Sequence, residues 1–101
     1  MDPRLELQQK LEELLGSGNV YFQPPSDTKL SYPAIVYHLD GASPDLANNM
    51  VYRRKKYYQV TYIDRRPDSS MVDKLIDFPY SSLSSTIRVD GLNQYIFRIY
   101  Y

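Results

Sequence analysis

Residues 52–63 (YRRKKYYQVTYI) run without a proline or a glycine and are rich in Tyr, Val, Thr and Ile. Aromatic and β-branched side chains suit a pleated, half-buried surface, so this run predicts one long strand. Tyr58, Val60 and Tyr62 alternate onto one face, which puts the second half in the interior of a sheet. The first half holds Arg53, Arg54, Lys55 and Lys56 and is expected to project beyond the compact body.

The flanking segments supply the neighbours that such a strand needs. Asp2-Pro3 opens a helix, a capping side chain followed by proline at the first helical position. Leu7, Leu11, Leu14 and Leu15 give that helix one apolar face, and Gly16-Ser17-Gly18 stops it. Residues 19–23 (NVYFQ) read as a short strand ended by Pro24-Pro25, and residues 26–33 as a loop. Residues 34–40 (AIVYHLD) read as a strand with Ile35, Tyr37 and Leu39 toward the core. Ala34, Val36 and His38 take the other face, where a lone histidine is a surface or interface residue.

Residues 41–51 (GASPDLANNMV) form a connector too long for an ordinary hairpin. Its composition cannot offset its ordering entropy, so it is expected to be mobile in an isolated subunit. Arg65-Arg66-Pro67-Asp68 ends the long strand. Ser69 or Ser70 caps a second helix, with Asp73 placed for a near capping box. Met71, Val72, Leu75 and Ile76 form its buried face, and Pro79 ends it. Residues 81–85 read as a serine-rich loop. Residues 86–90 and 94–101 are two strands joined by a turn at Asp90-Gly91-Leu92-Asn93.

The expected fold is therefore a single α+β domain over residues 1–101, in the order α-β-β-β-α-β-β. Short links favour a mainly antiparallel sheet with both helices on one face, a two-layer sandwich. Its core is expected to include Leu11, Leu14, Leu15, Val36 or its neighbours, Val60, Leu75, Ile76 and Phe97.

Composition narrows the chemistry. The 101 residues contain no cysteine and one histidine, which excludes disulfide scaffolds, thiol nucleophiles, Cys-based metal sites and paired-histidine catalysis. Four scattered glycines make no phosphate loop, and no HxxxH, GxSxG or DxDxDG pattern occurs. Glu12-Glu13 pairs two carboxylates on an exposed helix face, without a cleft around them. No enzyme, cofactor or metal is expected. No apolar stretch approaches a membrane span, and MDPRLELQQ lacks the apolar core of a secretory signal, so a soluble intracellular product is expected.

The net charge of zero hides an uneven distribution. Residues 1–51 carry three basic and seven acidic side chains, and residues 52–101 carry nine basic and five acidic ones. Such a dipolar subunit suits head-to-tail self-association. The basic–aromatic strand over 52–62 also suits a small nucleic-acid-binding module that tracks a backbone and stacks bases. Overall neutrality argues against it, because dedicated nucleic-acid domains are basic.

The ordered series LELQQKLEELLGSGNVYFQPP, SYPAIVYHLD, YRRKKYYQVTYIDRRPDS, MVDKLIDFPY and VDGLNQYIFRIYY resembles the small tail-terminator, or tail-completion, proteins of long-tailed bacteriophages of the phage lambda type. The resemblance spans nearly the whole chain and lies in the order of its segments. It implies a non-enzymatic α+β structural protein of the virion, made in the host cytoplasm. Six copies would form a ring at the head-proximal end of the tail tube, from subunits that can be monomeric when isolated. The implied partners are the chain itself, the tail-tube protein and the head-side connector or head-closure protein, with DNA only in passage and no membrane. A head-closure component is the neighbouring possibility. On this reading Leu46, Asn48, Asn49 and Met50 meet a neighbouring subunit or the tube. At least two of Arg53, Arg54, Lys55 and Lys56 are expected to face an acidic patch on a neighbouring subunit or to line the channel.

Overall fold

The computed structural model describes residues 3–42, 56–67 and 69–101. Its elements are α1 (Pro3–Leu15), β1 (Val20–Phe22), β2 (Ala34–Ala42), β3 (Lys56–Asp64), α2 (Met71–Ile76), β4 (Ser81–Val89) and β5 (Leu92–Tyr100). The strands form one five-stranded mixed sheet in the order β1-β2-β3-β5-β4. The fold is α+β.

Three of the four strand pairings are antiparallel, and β1 with β2 is parallel. Pro24-Pro25 cannot turn a tight hairpin, so the chain returns through residues 23–33 before β2 starts beside the start of β1. The parallel pair is closed at both ends. Ile35 N–H donates to the Asn19 carbonyl and Gln23 N–H donates to the Tyr37 carbonyl, each at 2.9 Å.

Both helices cover the same sheet face. Leu7 and Leu11 of α1 and Met71 and Leu75 of α2 join Ile35, Tyr37, Tyr58, Val60, Tyr62, Phe97 and Ile99 in one buried cluster. The cross-strand register explains the membership, because Ile35 pairs with Tyr62, Tyr37 with Val60, Val60 with Phe97 and Tyr58 with Ile99. Of the expected core, Leu11, Val60, Leu75 and Phe97 are fully buried, and Leu14 and Leu15 pack against the cluster half-buried. Val36 points to the opposite face and is half-exposed, while its neighbours Ile35 and Tyr37 are fully buried.

Several expectations are corrected. Leu39 is 44% exposed despite its inward parity, because a β-bulge between Leu39 and Gly41 breaks the register at that end of β2. Ile76 is 46% exposed, since α2 stops there, short of Pro79; Met71 and Leu75 are buried in the core and Val72 packs against it half-buried. Of the two serines expected to cap α2, Ser69 does so, its Oγ accepting the Met71 N–H at 3.2 Å, while the Ser70 side chain makes no capping bond. Residues 81–85 are strand, not loop. β5 offers a nine-residue template, and β4 pairs along it from Ser81 with a bulge between Leu83 and Ser85. That pairing overrides serine's weak strand preference. The hairpin turn is Asp90-Gly91 alone, with β5 beginning at Leu92. Gly41 and Ala42 belong to β2, paired with Tyr57 and Lys56, so the connector does not begin at Gly41. The expected cap at Asp2, the part of the connector beyond Ala42 and the expected strand start over residues 52–55 lie outside the described residues.

Candidate functional site

Of the expected interface residues, Lys56 alone is described. It is exposed, opens β3 opposite Ala42, and its carbonyl accepts the Tyr101 N–H at 3.1 Å. Leu46, Asn48, Asn49, Met50, Arg53, Arg54 and Lys55 lie outside the described residues.

By strand alternation Lys56 shares the parity of Tyr58 and Val60, and the next residue, Tyr57, opens the sheet face that neither helix covers. There, alternate residues of three neighbouring strands line up: His38 pairs with Gln59, Gln59 with Arg98, and Tyr57 with Tyr100. The Tyr57 and Tyr100 rings lie 5.3 Å apart and tilted. The Arg98 guanidinium stands 4.7 Å from the centre of the Tyr57 ring and reaches Asp40 at 3.9 Å. His38 approaches the same Asp40 carboxylate at 3.9 Å. These groups are half-exposed, so each contact contributes a fraction of a kcal/mol to about 1 kcal/mol. Their value is in orientation. Two rings, a guanidinium and a carboxylate are presented together on a rigid sheet.

Gly41 makes this cluster possible. A Cβ at that position would overlap the Tyr57 hydroxyl and stand 2.6 Å from Cζ, so glycine lets the ring lie across the β2 backbone. The sequence holds the signal for this face in the positions complementary to the core: Tyr57 and Gln59 against Tyr58 and Val60, and Arg98 and Tyr100 against Phe97 and Ile99. His38 does fall on the face opposite the core and is half-exposed. Glu12 and Glu13 stay on α1, with Glu12 accepting a hydrogen bond from Gln8 Nε2 at 3.2 Å.

A second polar cluster lies at the other end of β3. Tyr62 donates its hydroxyl to Asp64 Oδ2 at 2.6 Å and lies 2.7 Å from Ser69 Oγ. Burial, reinforced by that bond, pushes the phenol up to about 12. Burial raises the Asp64 carboxyl, but hydrogen bonds from Tyr62 and the Arg66 and Arg65 backbone, with the Arg66 charge, bring it below its ordinary value. A phenol locked onto a carboxylate holds its proton, so this trio fastens the end of β3 to the start of α2.

Among the described residues, no group of three or more His, Cys, Asp or Glu side chains is placed to hold a metal ion. No described helix is long and apolar enough to cross a membrane. No protein-family model matches the chain. Neither a curated protein nor a solved structure is significantly similar to it.

Proposed function

We propose that the chain is a structural virion protein that caps the head-proximal end of a phage tail tube as a ring, ends tail polymerisation and joins the tail to the head connector. One observation carries the reading. Both helices sit on one sheet face, and the other presents Tyr57, Arg98, Tyr100 and Asp40 on fixed strands. Aromatic residues and arginine are the side chains enriched at protein–protein interfaces. The ordered resemblance of the sequence segments supplies the class, and the split charge suits subunits that meet acidic side to basic side.

In this function the partners are further copies of the chain, the tail-tube protein and the head-side connector. The run Arg53, Arg54, Lys55 and Lys56 directly precedes Tyr57 and serves assembly. The test is electron microscopy of the protein mixed with its cognate tail tubes. Capped tubes of uniform length are expected, and Arg54→Glu with Lys56→Glu should abolish capping while the isolated domain stays folded. Uncapped tubes with the native protein, or normal tails with the double variant, would overturn it. The same basic run leading into paired tyrosines favours the second reading, a nucleic-acid module. That reading demands monomeric binding to single strands with affinity falling steeply as salt rises.

A further inference from the structure

The two edges of the sheet are built differently. β1 is a three-residue edge followed directly by Gln23 and Pro24-Pro25. Short edges and prolines are the usual protection against edge-to-edge pairing. β4 has no such protection. It is nine residues long, contains no proline, carries one charge (Arg88), and has no strand on its outer side among the described residues. Leu83, Ile87 and Val89 along it are 42%, 44% and 49% exposed.

The hairpin fixes which backbone groups face out. Val89 and Leu92 flank the Asp90-Gly91 turn and pair directly. Residues flanking a two-residue turn exchange hydrogen bonds, and the pattern alternates from there. Ile87 therefore bonds inward to Gln94, while Thr86 and Arg88 turn their N–H and C=O groups outward.

We propose that β4 pairs antiparallel with β4 of a second copy about a twofold axis at Ile87, joining two sheets into one. A three-residue edge cannot satisfy a nine-residue one, so the matching edge is the same strand in another copy. The register follows from three features. Residues 85–89 are the straight stretch of β4 beyond the bulge, and Ile87 is its centre. Centring there sets outward-facing Thr86 against the partner's Arg88, so both chains satisfy their free backbone groups. It also sets Ile87 against the partner's Ile87 in the closer kind of pair, and Val89 against the partner's Ser85. Centring on Arg88 instead would set two guanidinium groups directly opposite each other.

The pairing does not depend on the tail-capping function. Sedimentation of the native chain should give a mass rising from one chain toward two with concentration. Ile87→Lys places a charge on the axis, and Thr86→Pro removes an outward donor without touching the bonds to β5. Each should weaken association by about tenfold or more while keeping the native circular dichroism. The native chain lacks cysteine, so single replacements report cleanly. Ile87→Cys should oxidise to a covalent dimer, because its Cα separation from its own copy suits a disulfide, whereas Val89→Cys should not. A single-chain mass at every concentration, an unchanged mass in both edge variants, or equal cross-linking at both positions would overturn the pairing. A chain that caps tubes without dimerising loses only this inference, and one that dimerises without capping loses only the proposed function.

Discussion

The Tyr62 hydroxyl donates a 2.6 Å hydrogen bond to Oδ2 of Asp64, two residues along the same face of β3, and both side chains are buried. The other carboxylate oxygen accepts the Arg66 N–H at 3.1 Å, and Ser69 Oγ, beside the phenol, accepts the N–H that starts α2. One carboxylate thus sets where β3 ends and, through the phenol and Ser69, how the helix begins. Tyr62→Phe removes the central donor and leaves Asp64 Oδ2 buried without it. The expected loss is about 1–3 kcal/mol, read from the urea midpoint at neutral pH. An unchanged midpoint would mean that water replaces the phenol without cost.

The same pair sets the pH limits of stability. Asp64 sits below its ordinary value when folded, so its contribution is complete above the unfolded carboxyl value of about 3.9. It disappears as pH falls through the folded value. Tyr62 is raised to about 12 from 10.0, so its contribution is complete below pH 10.0 and is lost as pH rises toward 12. Asp64→Asn should flatten part of the acid limb of stability against pH, with Glu6, also lowered, by its hydrogen bond from Tyr101, retaining the rest. Tyr62→Phe should flatten part of the alkaline limb, with Tyr37 and Tyr101, also raised by burial, and Lys10, raised by its contact with Tyr101, retaining the rest. Thermal melts across pH 2–5 and 9–12 measure both limbs, since stability tracks the difference in bound protons.

Adjacent residues of α2 provide a contrast in burial. Leu75 is fully buried in the common cluster, and Ile76 is 46% exposed on the next position. Leu75→Ala should cost about 2–4 kcal/mol, and Ile76→Ala less than about 0.5 kcal/mol. Equal losses would place the helix in a different rotation on the sheet.

Periodicity reached the framework because burial on one sheet face leaves a period-two trace in β2, β3 and β5 and a helical trace in α1. Tyr58, Val60 and Tyr62 were readable from alternation alone. The misreadings occur where geometry beyond the local pattern decides. Leu39 has inward parity but lies at a bulge. The serines of β4 lack strand preference and are held by pairing to β5. The parallel β1–β2 pair depends on a return loop whose direction no local pattern encodes. The open-face cluster left a fainter trace, because Tyr57, Arg98 and Tyr100 come from strands far apart in sequence and meet only once the register is known. The trio at Tyr62 was invisible as a unit for a related reason: Asp64 and Ser69 read as an ending and a cap, not as partners of one phenol.

Two glycines separate close approach from backbone conformation. Gly91 has φ 74° and open space where a Cβ would stand, so Gly91→Ala strains only the turn, by roughly 1–2 kcal/mol. Gly41 is restricted by the Tyr57 ring lying where a Cβ would be. That ring is the end of a half-exposed side chain, so it can swing aside. Gly41→Ala should therefore cost less than about 1 kcal/mol, yet move Tyr57 out from under the Arg98 guanidinium. The proton resonances of the Tyr57 ring and the Arg98 side chain should shift while those of Phe97 and Ile99, on the covered face, stay in place. If the open face is where the ring subunits or the tube dock, this variant should fold normally and cap tubes poorly. Unchanged Tyr57 and Arg98 resonances would show that the ring does not lie over Gly41 in solution.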